Sequence, residues 1–349
     1  MHKPPAHGGF FFFMDTLHNF EQTITKGGWN LKKQFLDAVQ AKGGWANCHA
    51  HLDKSFYITR ASLAESMRDM EVKWRSADEI KATDTQEQVE ARISLGLDIL
   101  IEQGASKTVS FVDGFSRIGT KAIDAARNVQ KKYADNILFK TISQPIAGLT
   151  NDQTNLAAYE AVTEKVDIVG GLPSIDRPND KKHLDIIFSL AKNQNKPLHI
   201  HTDQENNPHE RDTEKVIEFT KKFGYQGRVV LVHAISISAQ PKEYRTHIYK
   251  ELADLGIAVV VCPSAALSMR QLDQYSAPVH NSIANVREMI EAGVLVGLGV
   301  DNIADYYLPF VDGDMWVETR MLMEATRFYD FDALVDIATV NGEKIINII

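Results

Sequence analysis

Residues 47–54, Asn47-Cys48-His49-Ala50-His51-Leu52-Asp53-Lys54, decide how the rest of the chain reads. Gly43-Gly44-Trp45-Ala46 precedes them and Phe56-Tyr57 follows, which frames a short strand with two imidazoles at its end. In a strand, residues i and i+2 project to the same face, so His49 and His51 converge on one point. That is how two nitrogen ligands are presented to a metal. A His-X-His pair alone is more often surface or core histidine, so its meaning depends on what other strands bring to the same place.

Outward from this stretch, a rhythm sets in after Ser106: a short run rich in Val and Ile, a polar or Gly/Pro break, then a segment of helical period. The strands predicted are 107–113, 137–144, 166–173, 197–203, 228–234, 257–264 and 294–301, which with 45–52 makes eight. Near-continuous apolar runs alternating with helices indicate a buried parallel sheet, and eight such units close a barrel. An open doubly wound sheet is the alternative, but no Gly-X-Gly-X-X-Gly follows the first strand. The fold class is therefore α/β, a (β/α)8 TIM barrel. Residues 1–44 are expected to form a leader and a helix over 15–42, with Gly43-Gly44 as its stop. Residues 45–303 form the barrel, with a helical excursion at 56–105 covering one mouth. Residues 304–349 hold further helices packed on it, at 321–329 and 333–337.

A chain of 349 residues with 44% hydrophobic and 24% charged residues is ordinary for a globular protein. The formal net charge of -8 gives no electrostatic reason to bind nucleic acid or an anionic membrane. Cys48 and Cys262 are the two cysteines, far apart and without a Cys-X-X-Cys pair. That argues against a disulfide framework, a zinc knuckle and the small zinc deaminases that need Pro-Cys-X-X-Cys. No stretch reaches the roughly 20 apolar residues of a membrane span, and Phe10 to Phe13 lacks a cleavage site after it. A cytoplasmic location is expected, with residues 1–14 read as a disordered leader.

In such barrels the active site lies where the strand C-termini meet. Strand one ends in His49 and His51, strand five in His199-Ile200-His201-Thr202-Asp203-Gln204, strand six in His233, and strand eight in Asp301-Asn302. Four strand ends each carry a side chain suited to metal binding or proton transfer. Helices and deeper barrel positions carry few.

His-X-His-Leu-Asp after strand one, His-Thr-Asp-Gln after strand five, Val-His-Ala after strand six and Gly-Val-Asp-Asn after strand eight resemble the amidohydrolase superfamily, specifically its cytosine-deaminase-like branch. The resemblance covers roughly residues 45–349. It implies a metal-dependent hydrolase on a distorted barrel, in which His49, His51, His201 and Asp301 hold one divalent metal and His233 stands beside it. Imidazole and carboxylate suit zinc best here, with iron or manganese as alternatives. Binuclear relatives place a carboxylated lysine at the end of strand four; Val169-Gly170-Gly171-Leu172-Pro173 has none, so a mononuclear site is expected. Relatives often add a β-sandwich built from both termini, and none is evident here. The implied chemistry is attack of metal-activated water on a trigonal carbon, with Asp301 carrying the proton to the leaving nitrogen and His233 as the hydrogen-bonding, electrophilic group.

One departure limits the functional expectation. Cytosine-type deaminases have Glu three residues after the strand-five histidine, where it shuttles a proton; here that catalytic position is Gln204, and an amide cannot shuttle. Glu205 substitutes only if the loop bulges. Asn302 replaces a second acid after strand eight. The expected reaction is therefore hydrolysis of a cyclic amide, amide or amidine-like carbon–nitrogen bond in a small molecule, outside peptides. The alternatives are deamination of an aminated heterocycle, phosphoester hydrolysis, and a catalytically impaired barrel that retains metal as a binding protein.

Gln144 matches a family glutamine that binds the substrate ring, and Lys54, Tyr307 and Asn302 are further candidates for substrate contact. Asp113 is expected to orient a ligand histidine, and His199 to pack or support beneath His201. His183, His209, His247 and His280 are read as surface histidines, His209 and His280 near the mouth. Small-molecule substrate is the expected partner, with homo-oligomers common among such barrels.

Overall fold

The computed structural model describes residues 21–205, 207–269 and 283–349. The reading of residues 1–14 as a leader and of His280 as a mouth residue falls outside these. Eight parallel strands run β1 (Trp45–Asn47), β2 (Ala105–Asp113), β3 (Leu138–Gln144), β4 (Val169–Gly171), β5 (Leu198–Thr202), β6 (Val229–His233), β7 (Ala258–Val261) and β8 (Val296–Leu298). Their order is β3-β2-β1-β8-β7-β6-β5-β4, and a parallel bridge between Ile142 and Ile168 joins the two ends. The result is a nearly closed (β/α)8 barrel. Among the described residues every strand belongs to this one sheet.

The β3–β4 closure depends on glycine. A Cβ on Gly170 would lie 1.8 Å from the Ser143 carbonyl oxygen, so any other residue there would pry the two strands apart. Inside the barrel, Val109, Phe111, Ile142, Ile168, Val230, Val232, Ala258 and Val260 fill the lower layers. A second, larger apolar shell lies between the strands and the surrounding helices. Each fully buried aliphatic side chain in such shells contributes about 1.5–3 kcal/mol.

Predicted and observed strands coincide in place but differ in length. β4, β7 and β8 are three or four residues long, where runs of eight were expected. The cause lies at their C-terminal ends: Pro173 opens a tight helical turn after β4, Pro263 opens a short helix after β7, and Asp301 after β8 takes positive φ, +63°. Asp203, His233 and Ala234 at the ends of β5 and β6 also take positive φ, +47°, +80° and +53°. Non-glycine residues in this region cost of order 1 kcal/mol each and gather at functional sites.

The helical excursion after β1 forms two helices, Met70–Thr83 and Gln86–Glu102, the second started by a capping box of Thr85 and Gln88. The N-terminal segment is helical over Leu31–Ala41, preceded by a single wide turn at Glu21–Thr25. The tail holds Met315–Thr326 and Phe331–Ala338, both longer than the apolar period suggested, and a third helix, Val340–Ile346. Ile345 and Ile346 of that last helix join the barrel-interior cluster and close its lower end. No helix among the described residues is long and apolar enough to cross a membrane.

Candidate metal centre

The end of β1 is stapled from both sides. Asn47 donates through Nδ2 to Thr108 Oγ1 of β2 at 3.0 Å and accepts at Oδ1 from the Val300 N–H after β8 at 3.1 Å. Asp301 N–H donates to the His49 carbonyl at 3.1 Å, which clips the strand-eight ending against His-X-His. A Cβ on Gly299 would sit 2.6 Å from His49 Cβ, so glycine there makes room for the imidazole.

On this frame the imidazoles close around one carboxylate. His49 Nε2 and His51 Nε2 lie 3.3 and 3.4 Å from Asp301 Oδ1, and His233 Nε2 lies 3.8 Å from Asp301 Oδ2. Ligand atoms of His49, His201 and His233 fall within 4.8 Å of one another, as do those of His49, Cys262 and Asp301. His201 Nδ1 lies 3.3 Å from the Gly171 carbonyl. A carbonyl only accepts, so Nδ1 carries the proton and Nε2 offers its lone pair to the cluster. Two ligands about 2.1 Å from a shared tetrahedral ion lie about 3.4 Å apart, which matches the His49 and His51 approaches to Asp301. His49 Nδ1 and Nε2, His51 Nδ1 and His233 Nδ1 are buried without hydrogen-bond partners among the described residues. Buried imidazoles left without partners are costly unless something else engages them, and the donor set fits a divalent ion.

The electrostatics agree. Burial, then the charge of Lys54, pushes the His51 imidazole well below the usual histidine range; burial, then His49, does the same to His201. Burial brings His233 down to about 4 despite the Asp301 charge. Burial alone would raise the Asp301 carboxyl, but His49, His233 and His201 hold it well below the usual carboxylate range. His51, His201 and His233 thus present neutral imidazoles and Asp301 an ionised carboxylate, the forms that bind metal. Phe111 lines it on one side, with ring centroids 5.0, 5.4 and 4.5 Å from His49, His51 and His201.

The other predicted residues distribute as follows. His199 lies one layer deeper, fully buried, both nitrogens unpartnered among the described residues and its pKa brought down by burial to about 3. Gln204 turns its amide away, Nε2 donating to Ser174 Oγ at 2.9 Å. The Glu205 side chain is exposed; its N–H donates to Glu210 Oε2 at 3.0 Å and its carbonyl accepts from Ser236 Oγ at 2.6 Å. Asn302 donates to Asp305, which also accepts from the Tyr307 and Leu308 N–H groups and so shapes the loop carrying Tyr307. Among the described residues Asp113 has no hydrogen bond to a histidine; it meets Lys81 at 2.7 Å and Lys54 at 3.7 Å. Gln144 sits beside Asp113 in register on the neighbouring strand.

His183 is not a surface residue. It is fully buried, its Nδ1 2.7 Å from Asp176 Oδ2 and its Nε2 accepting from the Leu172 N–H at 3.1 Å. It braces the turn after β4. Two residues near the cluster went unread in the sequence. Cys262 had a signal, since it ends β7, whereas Lys81 had none, because it comes from the helical excursion.

A profile of the amidohydrolase family matches residues 44–349. The chain belongs to the amidohydrolase family. As a member it is a hydrolase acting on carbon–nitrogen bonds other than peptide bonds. It is 31% identical over 265 residues to an uncharacterised protein of Haemophilus influenzae, covering 75% of this chain and 95% of that one. It is 26% identical over 330 residues to the N-isopropylammelide isopropyl amidohydrolase of a Pseudomonas species, covering 89% and 77% respectively. In fold it resembles 5-methylcytosine deaminase from Klebsiella pneumoniae bound to 5-fluorocytosine, with TM-score 0.79, 19% identity, and 86% and 74% of the two chains covered.

Proposed function

We propose that this amidohydrolase binds one divalent metal ion, zinc by preference, through His49, His51, His201 and Asp301, and hydrolyses a carbon–nitrogen bond on a nitrogen heterocycle or a related cyclic amide. The observation that carries this is the convergence of His49, His51 and His233 Nε2 on the Asp301 carboxylate, with His201 beside them. The Pseudomonas relative, named for its action on N-isopropylammelide, supports the choice of a substituted ring over an open-chain amide.

A bound divalent ion supplies Lewis acidity and a lowered water pKa, which make a nucleophile at neutral pH. Asp301, held ionised, takes the proton from the attacking water and passes it to the leaving nitrogen. His233, held neutral, donates from Nε2 to the substrate heteroatom on which negative charge develops. Gln204, engaged with Ser174, positions the β5 loop and moves no proton. With no carboxylate at that position, Asp301 is the single proton carrier, which favours substrates whose leaving nitrogen needs one proton only. That feature separates this reading from ordinary cytosine deamination.

Metal-loaded protein should release ammonia or an amine from members of a panel of aminated and N-alkylated diazines, triazines and cyclic amides. Ordinary efficiency on cytosine would overturn the assignment of Gln204, and turnover of phosphoesters alone would overturn the reaction class.

A further inference from the structure

Behind β4 lie two buried titratable residues that the proposed chemistry does not use, Asp176 in the turn after the strand and His183 on the helix Asp180–Asn193. Both oxygens of Asp176 are engaged. Oδ1 accepts from the Thr150 N–H at 3.2 Å and the Thr150 hydroxyl at 2.8 Å, and Oδ2 from the Leu149 N–H at 2.8 Å. His183 Nδ1 lies 2.7 Å from the same Oδ2. Burial works to raise the Asp176 carboxyl, but the hydrogen bonds from His183 and Leu149 bring it below its ordinary value, so it is ionised. An ionised carboxylate only accepts, so His183 Nδ1 carries the proton and Nε2 is left with its lone pair. Nε2 accepts from the Leu172 N–H at 3.1 Å.

The Leu172 N–H and the Gly171 C=O belong to one peptide group, and in a trans peptide they point in opposite directions. The carbonyl end accepts from His201 Nδ1 at 3.3 Å. One line of hydrogen bonds therefore joins the Asp176 carboxylate, the His183 imidazole, the Gly171–Leu172 peptide and the His201 imidazole. Every donor in it points toward Asp176. Dipoles aligned in this way polarise one another, so each bond strengthens the next. Glycine permits the approach: a Cβ on Gly171 would lie 2.5 Å from Ile187 Cδ1, one turn along the helix from His183.

Resting on the metal site proposed above, we propose that Asp176 and His183 are positioning residues for the metal, acting on His201 through the Gly171–Leu172 peptide. The Asp176 charge draws the His183 proton, which makes Nε2 the better acceptor. The peptide N–H is pulled toward it and the Gly171 oxygen gains negative charge. That oxygen holds the His201 ring in one tautomer and raises the basicity of Nε2, the atom offered to the metal. Two side chains that touch neither metal nor substrate thus set how tightly the metal is held.

The coupling runs both ways, because a metal on His201 makes its Nδ1–H a stronger donor and polarises the same peptide. In nuclear magnetic resonance of the isotope-labelled full chain, zinc loading should move the Leu172 amide proton and the His183 Nδ1 proton downfield. Unmoved signals overturn the relay. Asp176→Asn keeps the size and removes the charge, and His183→Gln keeps an acceptor for Leu172 but cuts the link to the carboxylate. Each should weaken zinc about tenfold in competition with a chelator, the lower end of what outer partners of a ligand histidine contribute, and shift the visible bands of the cobalt-loaded protein. Asp176→Glu, which restores the charge, should bind zinc more tightly than Asp176→Asn. A purely structural pair would lower the melting temperature of the metal-free chain and leave zinc affinity and the cobalt spectrum at wild-type values, and that outcome overturns the proposal while leaving the metal site standing. If neither variant folds, the wild-type shifts decide. Zinc that fails to bind wild type overturns the metal site and the relay with it.

Discussion

Two buried polar clusters meet at the end of β1, and they handle charge in opposite ways. Around Asp301, burial keeps the imidazoles of His51, His201 and His233 neutral, and several of the cluster's nitrogens have no hydrogen-bond partner among the described residues. Around Asp113, the bases are lysines, and Lys81 stays charged: burial by itself would neutralise it, but Asp113 and then other groups hold it well above the usual lysine range. Burial likewise works against the Asp113 carboxyl, yet Lys54 and Lys81 keep it below its ordinary value. Imidazole gives up its proton at modest cost and becomes a metal ligand, whereas a lysine in the same surroundings keeps its proton and anchors a carboxylate. The first cluster offers the donor set that the proposed cation would use, and the second holds cations of its own.

The largest effect should come from breaking the first cluster. Asp301→Asn is expected to lower turnover by about 10³-fold while leaving a folded chain, because an amide cannot move the proton. Circular dichroism and steady-state rates check this, and a variant with wild-type rates would show that the base is misassigned. Breaking the second cluster should show in stability. Lys81→Met leaves Asp113 buried and short of its partner and should cost about 3–5 kcal/mol in urea unfolding.

Acidification sharpens the contrast. His233, brought down to about 4, binds no proton in the folded metal-free chain between that value and the ordinary histidine value of 6.5, whereas the unfolded chain does. Stability of the metal-free protein should therefore fall as pH drops from about 6.5 toward 4, by about 3 kcal/mol from this residue. Beside the lysine cluster, Asp53, raised to about 7 by burial and then by Asp113, is protonated in the folded chain in that window and slopes the other way. Thermal melts of metal-free wild type and His233→Asn at pH 7 and pH 5 would show the slope reduced in the variant.

The smallest effect is expected outside both clusters. Glu205→Gln should change turnover by no more than about twofold, since the side chain is exposed and the loop is held through its backbone. A hundredfold loss would mean that Glu205 swings inward to serve as a proton shuttle.

That these side chains converge was legible because strand periodicity assigns faces and the barrel assigns an end. His49 with His51, His201, His233 and Asp301 each fall where a β-run stops, and the structure brings all five together. The lysine cluster was half legible. Lys54 sits in the opening motif and Asp113 ends β2, but Lys81 reaches them from the helix Met70–Thr83, and a helical Lys in an excursion looks solvated until its packing is known. His183 was misread for the same reason: its burial depends on how the helix Asp180–Asn193 packs against the β4 turn. Strand lengths were overestimated because the apolar pattern runs on through Leu172-Pro173 and Cys262-Pro263, where helical turns begin, and the left-handed backbone at Asp301 leaves no mark on it.

The most direct test of the central claim is elemental analysis of zinc-loaded protein after gel filtration, run beside His201→Ala. One ion per chain in the wild type, lost in the variant, is the predicted result. Two ions per chain, or none in the wild type, would contradict it.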